Sequence, residues 1–381
     1  MGRLTLQELR NKVVGAKFAL VRIIATCQPA GGEGSRLYPP TFPTSRDDPS
    51  PYLLESRVRD GQPREAVVLD QVASEANRAE EALARAWAAG SIRMPMLRLT
   101  HHGAADAVIT GLDAPHRAFD AYWRDSLLDG VKFDRTELGR ALQSASLADA
   151  RALLAHDFGS LAYGAWNSHR KGRQAKFPRI YASEIVGWDP VLGSRKAGRM
   201  DPLNLVGTRS GEGDEWTYAA AGAKTVKGKL SEIGHGNIAP NASHGGVTIT
   251  SATRFATLSL TALDRIGFGS YDDEQQSAAR TLLAAFALLG DRLAFGGAGL
   301  WLRSGCELVV VDEVLEWVGR GGVVEAFTLS RDEAVLLYQS ALDAALAVGV
   351  ELELEPVELT PSPALSKAID FSLTKAESAG D

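Results

Sequence analysis

FALVRIIAT at residues 18–26 is a run of apolar and β-branched residues, the composition of a buried strand. Its counterpart is DQVASEANRAEEALARAWAA at residues 70–89. There Val72, Ala76, Ala79, Leu83 and Ala86 recur on a 3.6-residue stripe, which predicts a helix. Between the two, residues 30–52 are too dense in Gly and Pro for regular structure. Working outward, residues 94–100 (MPMLRLT) read as a strand, residues 114–128 as a helix with Pro115 in its first turn, residues 135–155 as one or two helices, and residues 160–166 as a strand. Residues 246–263 are Thr-rich with β-branched alternation, a strand or hairpin. Residues 273–289 form a second strong helix pattern, with Ala278, Leu282, Ala285 and Leu289 on one face. ELVVVDEV at residues 307–314 reads as a strand and residues 332–347 as a helix. In residues 350–359 (VELELEPVEL), Glu351, Glu353 and Glu355 alternate with apolar residues, as in a half-buried strand with an acidic outer face. The order strand, helix, strands, helix, strand predicts an α+β fold of ferredoxin type, βαββαβ, interrupted by large insertions over residues 1–359. Residues 360–381 lack a core pattern and read as a tail.

With 381 residues, 45% of them hydrophobic, the chain has enough apolar material for a substantial core. No apolar run approaches the roughly 20 residues that span a bilayer, so no membrane association is expected. The N-terminus is charged and helical in pattern, without a signal-peptide core. Cys27 and Cys306 lie far apart in apolar contexts, which supports neither a disulfide framework nor a cysteine metal site. A reducing, cytoplasmic location is expected.

Charge is unevenly placed. Residues 166–199 carry eight Lys or Arg (Arg170, Lys171, Arg173, Lys176, Arg179, Arg195, Lys196, Arg199) against Glu184 and Asp189, a local charge of +6 in a chain of net charge −6. Trp166, Phe177, Tyr181 and Trp188 lie among them, and Asn167, Ser168 and His169 precede the cations. Cations for phosphates, with rings and amides for bases, suit single-stranded nucleic acid better than a duplex groove. The alternative is a solvated loop whose charges pair with acidic neighbours. The basic insertion extends over about residues 166–245, where Lys224, Lys227 and Lys229 precede SEIGHGNIAP with its His235 and Asn237.

Catalytic constellations are sparse. Adjacent His101 and His102 would face opposite sides of a strand, and no metal-ligand spacing surrounds them, so no metal is expected. His169 beside cations, or His235 among glycines, could serve as a general acid in RNA cleavage, or could stack on a base or contact a phosphate. No GxSxG elbow, P-loop or paired-carboxylate motif is present, and no cofactor is expected. The glycine loop FGGAGLWLRSG (residues 295–305) follows a helix and precedes a strand, the reverse of a dinucleotide fingerprint. On the first helix, Gln71, Ser74 and Arg78 share a polar face bordered by Asn77, near the N-terminal end, where free N–H groups favour phosphate.

Taken together, GSRLYPPTFP (34–43), LDQVASEANRAEEAL (69–83), APHRAFDAY (114–122), YGAWNSHRKGRQAKFPRIYASEIVGWDP (163–190) and SEIGHGNIAP (231–240) resemble the backbone subunit of type I-U (I-G) CRISPR effector complexes, a RAMP-superfamily protein of the Cas-seven group. The resemblance runs from about residue 18 to residue 359. It implies a modified RRM-like core with inserted fingers and a thumb. It further implies a non-catalytic subunit whose copies polymerise head to tail along CRISPR RNA, hold it for pairing with a target DNA strand, and assemble with other effector subunits. The RNA contacts it implies are Arg36 in the first loop, Gln71, Ser74, Asn77 and Arg78 on the first helix, and Arg170 to Arg179 in the basic segment. Asn167, His169, Lys171, Arg173, Lys176, Lys227, Lys229, His235 and Asn237 complete the candidate RNA-binding set. The competing reading within the same superfamily is an endoribonuclease that processes CRISPR RNA. A small-molecule enzyme holding a phosphorylated substrate ranks below both, because no nucleophile, metal or cofactor motif accompanies the cations.

Overall fold

The computed structural model describes residues 2–46, 49–103, 105–167, 175–210, 216–219 and 228–380. The order strand, helix, strands, helix, strand is present, with Tyr181–Trp188, a segment of the expected basic insertion, as its second strand: Phe18–Pro29 (β1), Val72–Ala88 (α1), Tyr181–Trp188 (β2), Ser251–Ser259 (β3), Asp273–Phe295 (α2) and Cys306–Gly319 (β4). In the sheet they run β4-β1-β3-β2 with every neighbouring pair antiparallel. This is the ferredoxin-like arrangement of a βαββαβ unit, and the chain is an α+β protein. The sheet continues at both edges. Gln62–Asp70 pairs with β2 and Leu54–Arg59 with it, while Val324–Thr328 pairs with β4 and Gly2–Arg3 with that strand.

Alternation in β1 sends Val21, Ile23, Ala25 and Cys27 inward, and Phe18 at its start is buried as well. The centre of α2 is apolar all round and buried all round, and it starts at a capping box between Asp272 and Gln275. α1 crosses it at Gly290, where an added Cβ would lie 2.2 Å from the Tyr163 hydroxyl and 3.1 Å from Leu83. Glycine is required there by close approach. A second sheet, built from Leu97–His101, Ala107–Thr110, Val357–Pro361, Ser126–Leu128 and Val131–Lys132, joins the insertion after α1 to the C-terminal strand. No helix among the described residues is long and apolar enough to cross a membrane.

Several local expectations are corrected. Residues 160–166 are not a strand: Phe158–Ala162 is a fully buried helix started by the Asp157 carboxylate, which accepts from the Ser160 N–H, and only Ala165–Asn167 is extended. Residues 114–128 do not form one helix, because Asp120 accepts N–H groups from both His116 and Tyr122 and breaks the segment into a 3₁₀ turn and the short helix Ala121–Arg124. The C-terminal strand begins at Val357 rather than at residue 350, just past Pro356, which offers no N–H to a ladder. Residues after 360 do not trail off: Pro363–Gly380 is a helix, with Ile369 packed on the core and Asp370 bonded to buried His101 at 2.9 Å. The hairpin Leu54–Arg59/Gln62–Asp70 was not anticipated, although Asp60-Gly61, both at positive φ, is a strong hairpin-turn signal.

Candidate nucleic-acid interface

The basic stretch is not one projecting loop. Its centre, YASEIVGW, is the core strand β2, held between β3 and Gln62–Asp70. Its cations therefore fall at the two ends of a strand of eight residues, roughly 25 Å apart by the rise of extended chain. Before β2 stands a small hairpin, Ala165–Asn167 against Ala175–Phe177. After it, Val191–Arg199 pairs with Ile238–Thr248 as a two-stranded ribbon connecting β2 to β3.

On the ribbon, Arg195 faces Ser243 in register and Lys196 faces Ala242. Adjacent residues of a strand point to opposite sides, so the ribbon is basic on both faces. Arg36 joins this group, as its Nη1 donates to the Ser194 carbonyl at 3.4 Å. The first loop is fastened there: Leu37 and Val247 exchange N–H···O bonds of 2.8 Å, and the Gly246 N–H donates to the Tyr52 hydroxyl. Residues 160 positions apart in sequence thus form one cationic root.

At the far end, Asp201 accepts from the N–H groups of Gly236, Leu203 and Leu205, bonds that hold its carboxyl below the usual range. Asn237 accepts from the Asp201 N–H at 2.6 Å and donates to Asn204, so it fastens this turn. His235 is exposed, its ring 5.7 Å from that of Trp216. Lys229 is exposed on Gly228–Lys229, paired with Thr208–Ser210.

Ion pairing separates these cations from the rest of the molecule. Among the described residues, no carboxylate lies within 4.0 Å of Arg36, Lys176, Arg179, Arg195, Lys196 or Arg199, whereas basic residues across the remaining surface commonly have acidic partners, such as Arg57 with Glu184 and Arg98 with Glu358. The alternative of a loop neutralised by its neighbours is therefore disfavoured for the described part of the stretch. His169, Arg170, Lys171 and Arg173 lie outside the described residues, as do Lys224 and Lys227.

On α1, Gln71 occupies the N-cap without a side-chain capping bond. Gln71 and Asn77 are exposed, and Ser74 is half-buried. Arg78 departs from the expected free cation. Its Nε donates to Asp70 at 2.6 Å, its Nη2 to the Leu302 carbonyl at 2.6 Å and its Nη1 to the Trp301 carbonyl at 3.4 Å. It clamps the glycine loop's strand, Gly299–Arg303, to the start of α1. Trp301 in that strand is 65% exposed between buried Leu300 and Leu302, a ring that the sequence reading did not single out although the alternation marks it.

Titratable groups with perturbed environments lie beneath this surface. Arg254 of β3 donates to Glu75 of α1 (2.8 Å), Asp291 of α2 (2.8 Å) and Tyr181 of β2 (2.7 Å). Arg292 joins Asp291 to Glu313 of β4. Burial pushes the Glu75 carboxyl up to about 7 against the opposing pull of Arg254. Glu80 is likewise raised to about 7 by burial, opposed by Arg117. Burial raises the thiols of Cys27 and Cys306 to about 11, which keeps them protonated and unreactive. No group of three or more His, Cys, Asp or Glu among the described residues is arranged to hold a metal ion.

Fold and site together define an RRM-like α+β protein with cations at both ends of one core strand that have no acidic partner among the described residues. Residues 21–191, just under half of the chain, match the model of the family described as CRISPR-associated protein GSU0053. The match runs from β1 through β2 to the first residue of the ribbon, and this similarity supports a role in CRISPR systems. Comparison with curated proteins gives no match.

Proposed function

We propose that the chain is a non-catalytic CRISPR RNA-binding backbone subunit of a type I-U (I-G) effector complex. Copies assemble head to tail along the guide RNA, present it for pairing with the target DNA strand, and join other effector subunits. The observation that carries this reading is the set of cations at both ends of β2 that have no acidic partner among the described residues, on a chain similar over residues 21–191 to a CRISPR-associated family. Cations without a carboxylate partner are available to phosphates, and contacts to phosphate and ribose accept any spacer sequence. A subunit tracking a linear polymer needs two different surfaces, because a two-fold interface closes after two copies.

Native mass spectrometry with guide RNAs of increasing length tests the proposal. The expected result is a subunit number that rises in step with RNA length. A dimer of fixed stoichiometry would overturn it. Specific cleavage of repeat RNA by the purified protein in EDTA would replace it with the endoribonuclease reading.

A further inference from the structure

Between the Ala165–Asn167/Ala175–Phe177 hairpin and the turn at His116 lies a cavity of about 450 Å³, within the size range of small-ligand sites. His116, Trp166, Lys176, Phe177 and Arg179 line it over a floor at Gly164, and no carboxylate is among its lining residues. The floor and one wall are fixed. Arg117 closes a two-pronged ion pair on Glu80 of α1 (2.6 and 2.9 Å) and donates its Nη1 to the Gly164 carbonyl at 2.8 Å. Gly164 sits at φ +87°, and an added Cβ would lie 3.1 Å from both the Arg179 nitrogen and the Phe177 oxygen. Phe177 is buried and stacks on Phe119 with ring centroids 6.2 Å apart. Against this rigid frame, Trp166 is 48% exposed, and the Lys176 ammonium stands 4.9 Å from its ring centroid. A half-exposed ring beside two cations that have no acidic partners among the described residues presents a stacking surface and a phosphate site together.

We propose that this cavity receives one unstacked nucleobase of the bound RNA strand, its face against Trp166 and its adjoining phosphate between Lys176 and Arg179. The inference rests on the RNA-binding reading above and adds to it a defined base site. Rings and cations of this kind accept any base, because every base has a π face.

The test uses the full chain and short single-stranded RNAs in which one nucleotide at a time is made abasic. Wild type is expected to lose about tenfold in affinity at the position that enters the cavity. Trp166→Ala should lose a similar factor on intact RNA and show no further loss at that position, and Trp166→Phe should retain most of the binding. Thermal melting controls for folding. Unchanged affinity in Trp166→Ala and Lys176→Ala, with wild type still binding RNA, overturns the base site and leaves the RNA reading standing. Failure of wild type to bind any RNA overturns that reading itself. Adenosine monophosphate binding as tightly as RNA, and lost in Trp166→Ala, would make this a free-nucleotide site and overturn the proposal.

Discussion

Arg254 and Arg195 carry the same side chain to opposite ends. Arg254 is 1% exposed and its guanidinium meets Glu75, Asp291 and the Tyr181 hydroxyl, over the ring of Phe295 at 3.7 Å. Arg195 stands exposed on the ribbon with no acid within reach among the described residues. A charge taken out of water must be matched by opposite charge and hydrogen bonds, so the buried network specifies which elements meet: α1, β2, β3, α2 and β4. A charge left in water needs no partner, and its lack of one leaves it for an external anion. Ion pairing, rather than the mere presence of Lys and Arg, therefore separates the fold's charges from the candidate interface.

The largest effect should come from breaking the buried side. Arg254→Met leaves the buried carboxylates of Glu75 and Asp291 without their shared partner, and the expected cost is roughly 3–5 kcal/mol in chemical denaturation. A loss below about 1 kcal/mol would mean that the network relaxes or neutralises itself, and the contrast with the ribbon would fail. A smaller effect follows from Glu75. A carboxyl whose folded pKa lies above its unfolded value binds its proton more tightly in the folded state, so stability is greatest below about pH 4.5 and falls as pH rises toward about 7. The full excursion is at most about 3 kcal/mol, with Glu80 adding a parallel contribution of the same sign. Glu75→Gln should flatten the decline of the melting temperature between pH 5 and pH 7.5 without removing it. An unchanged slope would place the titration elsewhere.

The sequence made the core legible where one segment carried its own period. β1 falls where an apolar, β-branched run placed it, α1 and α2 where a helical stripe did, and Arg331–Ala347 matches the helix expected at residues 332–347. It obscured elements whose state depends on neighbours. In sequence, YASEIVGW reads as part of a basic insertion, because its burial comes from β3 and Gln62–Asp70, which are distant in the chain. The buried charges were missed for the same reason, although Glu75, Ala79 and Leu83 stand at i, i+4 and i+8, which aligns one carboxylate with the apolar stripe. In the candidate site, residue type identified the cations. It did not distinguish Arg78, clamped between Asp70 and two carbonyls, from Lys196, which has no acidic partner among the described residues.

The smallest effect on stability is expected where the effect on binding should be clearest. Replacing Arg195, Lys196 and Arg199 together by Ala removes three exposed side chains. Of these, only Arg199 makes a described side-chain hydrogen bond, to the Gly236 carbonyl at 3.0 Å. Exposed substitutions away from caps and cores change stability by about 0.5 kcal/mol or less, so the melting curve should barely move. Single-stranded nucleic acid held by Z phosphate contacts loses affinity with salt at a slope of about 0.7 per contact, because each contact releases condensed counterions. The triple variant should therefore bind RNA more weakly at low salt and show a log–log salt slope shallower by up to about 2, if all three cations touch phosphate. The triple variant can be combined with Arg254→Met. The two sets should add independently, one moving only the denaturation midpoint and the other only the salt slope. A ribbon variant that unfolds early while its salt slope stays fixed would make these arginines part of the scaffold, and the division between matched and unmatched charge would no longer mark the interface.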